Sequence, residues 1–151
     1  MEALDLKNMN REDMITALAK KALDMRYMSY TPYSGFNVGA ALLTKDGESF
    51  GGCNIENAAY GPTNCAERTA IFKAVSEGKR AFSMIAIAGG PKDAALPLDP
   101  CPPCGVCLQV MMEFCDPESF EILLVSDEAQ VESVLLKDLL PRGFGPASLE
   151  A

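Results

Sequence analysis

Helix-patterned and strand-patterned segments take turns along the second half of this chain, and that alternation restricts its fold more than any other feature. "CAERTAIFKAVSEG" (65–78) has helical spacing and a closing Gly78. "FSMIAIAG" (82–89) has the composition of a buried strand. "CGVCLQVMMEFC" (104–115) reads as a Pro-led helix that stops before Pro117, and "FEILLVS" (120–126) as another strand. "ESVLLKDLL" (132–140) reads as a short final helix ended by Pro141. Upstream, Asn10 and Asp13 form a cap signal for a helix over about residues 11–29, closed by the turn signal "TPYSG". "FNVGAALLT" (36–44) and "ESFGGCNI" (48–55) flank "KDG" as a β-hairpin. The natural packing is an α/β one, a mixed sheet covered by helices on both faces. With 151 residues and no repeat, low-complexity tract or linker, the expectation is a single domain spanning 1–151.

Charge and composition remove several functions. The net charge is −8, which argues against a polynucleotide partner, because that partner demands clustered Lys and Arg. No apolar run reaches the roughly 18 residues needed to cross a bilayer, and "MEALDLKNMNRED" lacks the apolar core of a signal peptide. The expected compartment is a reducing cytoplasm, where six cysteines point to metal or catalysis more than to disulfides. There is no histidine, so neither a Ser-His-Asp triad nor an imidazole metal ligand exists. A transition-metal site here must use thiolates and carboxylates.

"CPPCGVC" (101–107) holds two overlapping C-x-x-C pairs. A ferredoxin-like iron–sulfur pattern would need a fourth cysteine at position 111, which is Met111. A thioredoxin-type redox pair would use two cysteines and leave the rest unexplained. The discriminating stretch lies upstream in "TNCAERTA", where Cys65 opens a predicted helix and Glu67 follows two residues later. Cys104 and Cys107 stand at another helix start, and helix N-termini favour anions, hence thiolates. Three such ligands would leave one tetrahedral zinc position open, as catalytic sites do, with Glu67 placed to move protons. Adding Cys101 would close the site into a structural one. Its place before Pro102 and Pro103 carries it away from the helix start, so it reads as a loop or packing thiol. Cys53 and Cys115 read as small buried hydrophobes.

"CAE" followed by "PCGVC" matches the C/H-x-E…P-C-x-x-C signature of zinc-dependent nucleobase deaminases. With "PYSGFNVGAALLTKDG" and "GCNIENAAYGPTNCAERTAIFKAVSEG", the chain resembles the small homotetrameric cytidine deaminases from about Met14 to Phe144. The resemblance implies a three-layer α/β/α sandwich with a mixed central sheet. It also implies one zinc per subunit on Cys65, Cys104 and Cys107, and a nucleoside substrate. Glu67 would be the catalytic proton carrier, and Arg68 would offset the charge of the thiolates. Asn54 and Glu56 of "NIEN" would receive ribose hydroxyls, Phe36 would contact the base, and the Ala66 N–H would meet the ring carbonyl. Tyr60 and Phe144 would belong to sites completed between subunits of a homotetramer. The implied reaction is hydrolytic deamination of cytidine and deoxycytidine to uridine and deoxyuridine, in pyrimidine salvage. Leu108 and Pro102 depart from the family's usual arginine and serine, which leaves the tuning of the metal's charge open. Competing readings are a deaminase of another aminated nucleoside such as blasticidin S, and a non-enzymatic structural zinc or redox module. A polynucleotide deaminase is opposed by the acidic charge.

Overall fold

The computed structural model describes residues 4–150. Its strands are β1 (Leu4–Asp5), β2 (Phe36–Thr44), β3 (Glu48–Cys53), β4 (Phe82–Pro91), β5 (Glu121–Val125) and β6 (Val131–Leu135), forming one sheet in the order β1-β3-β2-β4-β5-β6. The β2–β3 hairpin pairs Gly39 with Cys53 and Leu43 with Ser49. Neighbouring strands run antiparallel except β4 and β5, so the sheet is mixed. A parallel pair needs a crossover, and α3 (Gly105–Phe114) lies in the connection between β4 and β5.

Side chains alternate across the strands and build two cores, one per face. Ala40, Leu42, Ile85, Ile87, Ile122 and Leu124 pack against α2 (Ala66–Ser76) and α3. Ala41, Leu43, Met84, Ala86, Leu123 and Val125 pack against α1 (Arg11–Met25) on the opposite face. The architecture is thus the expected three-layer α/β/α sandwich. The Asn10 side chain accepts from the Asp13 N–H at 2.8 Å and caps α1, as the sequence implies.

Two glycines let the helices lie close to the sheet. A Cβ on Gly39 would strike the Ala22 carbonyl of α1. A Cβ on Gly52 would come within 2.5 Å of the Ala70 nitrogen and also strike the Ala66 carbonyl. The second approach fixes how far the start of α2 stands from β3, and Cys65 and Glu67 ride on that start.

Segment 132–140 departs from the expected helix. Val131–Leu135 form the edge strand β6, antiparallel to β5 with Val125 opposite Val131, and only one helical turn, α4 (Leu136–Leu139), follows. The apolar spacing of Val134, Leu135 and Leu139 suits a helix locally, but β5 offers an open row of backbone donors and acceptors that this segment satisfies. Strand β1 was also not visible in the residue pattern. Among the described residues, no helix is long and apolar enough to cross a membrane.

Candidate active site

Cys65 and Cys104 are the N-cap residues of α2 and α3, and both backbones are extended at the cap. Because the two helices share one face of the sheet, their starts converge, and Cys107 follows one turn into α3. The three sulfurs lie within 4.8 Å of one another, with Cys65 Sγ and Cys104 Sγ 3.9 Å apart. A tetrahedron with Zn–S bonds near 2.3 Å has an edge of about 3.8 Å, so the spacing suits zinc thiolates. Among the described residues the cluster takes in only these three ligating side chains, so it offers a tetrahedral ion three protein ligands.

Charge around the sulfurs supports the same reading. Hydrogen bonding from Cys107, with the Arg68 guanidinium, pushes the Cys65 thiol down to about 5 against the opposing effect of burial. Sharing with Cys65, together with burial, pushes Cys107 upward. Arg68 donates from Nη2 to Cys65 Sγ at 3.1 Å. Its Nε is buried without a hydrogen-bond partner. Holding a guanidinium there is costly unless the neighbouring sulfurs are anionic, and zinc ligands are. The residues present therefore fit one zinc ion per chain.

Glu67 is only 4% exposed, on the first turn of α2. Burial pushes its carboxyl up to about 7, the Cys65 thiolate adding to the shift, while a dication at the cluster acts in the opposite sense. Ala66, the first residue of α2, contributes one of the N–H groups that a helix leaves without an intrahelical partner.

Asn54, Glu56 and Phe36 are joined to one another by hydrogen bonds, partly through Ser34. Asn54 donates from Nδ2 to the Phe36 carbonyl at 2.8 Å and accepts from the Val38 N–H at 2.9 Å. One N–H and one lone pair of its amide remain for a ligand. Glu56 accepts from the N–H groups of Tyr33 and Ser34 at 3.0 and 3.1 Å and from the Ser34 hydroxyl. Hydrogen bonding from Ser34 holds its carboxyl below the usual range. Glu56 lines a cavity of about 380 Å³ with Tyr33 and Tyr60, whose rings meet edge to face at 6.2 Å. Phe36 walls a second cavity of about 450 Å³ with Gly89, Pro91, Leu98 and Cys101. Phe144 lines neither of these two cavities. Its carbonyl accepts from Gln109 Nε2 at 2.8 Å, and 58% of the residue is exposed.

Cys101 stands outside the sulfur cluster, with its thiol resting on Gly89. Burial pushes that thiol up to about 11, the charges of Glu67 and Cys65 adding to the shift. Cys53 and Cys115 are buried, as expected of small hydrophobes. Cys101→Ser is expected to retain one zinc per chain by elemental analysis; metal loss would make Cys101 a ligand and the site a closed one. Sequence reasoning missed Ser34, because "TPYSG" signals a turn and nothing in the pattern shows where the hydroxyl points.

A mixed sheet that presents three convergent thiols at two helix N-termini, next to a buried carboxylate, defines a zinc-dependent hydrolytic enzyme. A family model described as the cytidine and deoxycytidylate deaminase zinc-binding region matches residues 13–121, and the chain belongs to that family. It is 48% identical over 127 residues to a cytidine deaminase of Halalkalibacterium halodurans, covering 84% of this chain and 91% of that one. It is 44% identical over 137 residues to a cytidine deaminase of Sporosarcina psychrophila, covering 91% and 93%. A crystal structure of cytidine deaminase from Burkholderia pseudomallei superposes with a TM-score of 0.75 at 45% identity, covering 85% of this chain and 97% of that one.

Proposed function

We propose that this chain catalyses the hydrolytic deamination of cytidine and deoxycytidine to uridine and deoxyuridine, with release of ammonia. The observation that carries the reading is the triangle of Cys65, Cys104 and Cys107 with Glu67 buried on the same helix turn as its first member. Bound zinc supplies a Lewis acid that makes water easier to ionise. Glu67 takes a proton from the attacking water, delivers it to N3 of the pyrimidine, and helps protonate the amine that departs from C4. Arg68 offsets the excess negative charge of three thiolates around a dication. Phe36 sets the plane of the base, the Ala66 N–H donates to the ring carbonyl, and Asn54 and Glu56 receive the sugar hydroxyls.

The family model spans deaminases of both cytidine and deoxycytidylate. The cavity walls favour the nucleoside. Neither lining includes a lysine or arginine, while Glu56 and Asp99 contribute carboxylates, so a 5′-phosphate would find no compensating cation of this chain in either cavity. Tyr60 and Phe144 act at a contact with neighbouring copies in a homotetramer. Their exposures of 73% and 58% support that role, since large aromatic surface seldom stays in water. All six cysteines are unpaired, which supports a reducing cytoplasm; the reaction proposed for the chain, carried by 1–151 as one catalytic domain, belongs to pyrimidine salvage. Purified, zinc-loaded protein is expected to convert cytidine to uridine, followed as loss of the cytosine absorbance band with matching ammonia release, and to leave deoxycytidylate essentially untouched. Turnover of blasticidin S or deoxycytidylate in preference to cytidine would overturn the substrate assignment.

A further inference from the structure

Ser34 lies where the sugar-contacting and base-contacting sides of the site meet. Its hydroxyl donates to Glu56 Oε2 and at the same time accepts from the Phe36 N–H at 3.0 Å. Gly35, between them, takes a left-handed backbone with φ +66°, which folds the chain back so that one oxygen reaches both partners. The far side of Phe36 is held as well, its carbonyl accepting from Asn54 Nδ2. Both polar backbone groups of Phe36 are therefore bonded either to Asn54 or to the side chain that grips Glu56. A neutral hydroxyl can donate to a carboxylate and accept from an amide through a single atom. Alanine can do neither, and threonine can do both.

We infer that Ser34 is a positioning residue that ties the carboxylate of Glu56 to the ring of Phe36, so that the sugar acceptor is aimed and the base platform set before a nucleoside arrives. The inference rests on the proposed roles of Glu56 and Phe36 as nucleoside contacts. Ser34 touches none of the three sulfurs and none of the polar atoms of Glu67, so its loss weakens ground-state and transition-state binding alike and registers chiefly in KM. A loop that merely folded less well would lower the melting temperature or the zinc content instead.

The test compares zinc-loaded Ser34→Ala, Ser34→Thr, Glu56→Gln and the Ser34→Ala/Glu56→Gln double variant, with steady-state cytidine kinetics, thermal melts and zinc analysis on each. Ser34→Ala is expected to raise KM roughly tenfold, the scale of a hydrogen bond to a charged group, with a much smaller change in kcat. Ser34 is exposed, which leaves room for the extra methyl of threonine, and Ser34→Thr is expected to restore KM. Glutamine at 56 keeps an oxygen that can accept from Ser34 but loses the charge, so Ser34→Ala is expected to raise KM by a smaller factor in the Glu56→Gln background than in wild type. Wild-type KM in Ser34→Ala, failure of threonine to restore it, or KM effects that multiply in the double variant would each overturn the inference. Glu56→Gln separates the two levels. If it raises KM while Ser34→Ala does not, only the Ser34 role falls; if it leaves KM unchanged, the sugar-contact reading falls and takes the Ser34 role with it.

Discussion

Glu67→Gln is expected to leave zinc bound and to reduce cytidine turnover by at least about 10²-fold, the usual scale of general acid–base help. The amide fills the same buried space, and its oxygen can still accept from its own backbone N–H, as the carboxylate does. The three sulfurs are untouched, so metal content is the internal control. What disappears is a group that can accept a proton and return it. Deamination requires at least two such transfers, one at N3 and one at the leaving amine; among the described residues Glu67 is the only buried carboxylate, and the chain has no histidine. Glu67→Asp keeps the acid but shortens its reach by one methylene, so its rate is expected to fall between the other two. The readout is the initial rate at saturating cytidine with zinc measured on the same samples. A Glu67→Gln enzyme that turns over at near wild-type rate with zinc in place would remove Glu67 from the reaction.

The parts of this molecule that could be read from sequence are those set by local chemistry. The hairpin was legible because "KDG" separates two β-rich runs, and β2 spans the residues the pattern marks, 36–44. The helix starts at Cys65 and Cys104 were legible because caps, glycines and prolines punctuate them. The convergence of Cys65, Cys104 and Cys107 was legible because a chain without histidine has few ways to hold a transition metal. Segment 131–135 was not, because β6 is an edge strand in which the adjacent Glu132 and Ser133, on opposite faces, are both exposed, which breaks the strand period, and its conformation is decided by a partner strand. The choice between three and four thiolates was likewise not settled by spacing. It depends on where the Pro102–Pro103 segment carries Cys101, and the outcome, a thiol resting on Gly89, involves residues a dozen positions apart. Ser34 was hidden for a related reason: a serine in a turn is ordinary until the carboxylate it meets, 22 residues away, is in place.

Cys107→Ala is expected to abolish zinc retention and activity together, and to lower stability by more than the loss of a buried sulfur can explain. Cys107 is fully buried and has two parts to play, the proposed one of ligand and that of core residue between α3 and the sheet. Cys115 provides the control, since it is buried in the same core at the end of the same helix and lies outside the sulfur cluster. Cys115→Ala should lose packing, on the order of 1 kcal/mol, and keep its zinc. Cys107→Ala should lose a similar amount of packing and, in addition, the stabilisation that binding lends the folded state, about 4 kcal/mol when free zinc exceeds its dissociation constant a thousandfold. The excess is therefore metal-linked, and a chelator should erase it. With zinc stripped, the melting temperatures of wild type and Cys107→Ala should draw together to within the packing difference, while Cys115→Ala should fall by as much as wild type does. If the chelator leaves wild type unmoved, or if Cys107→Ala retains one zinc per chain, the three-sulfur centre is not what joins the starts of α2 and α3.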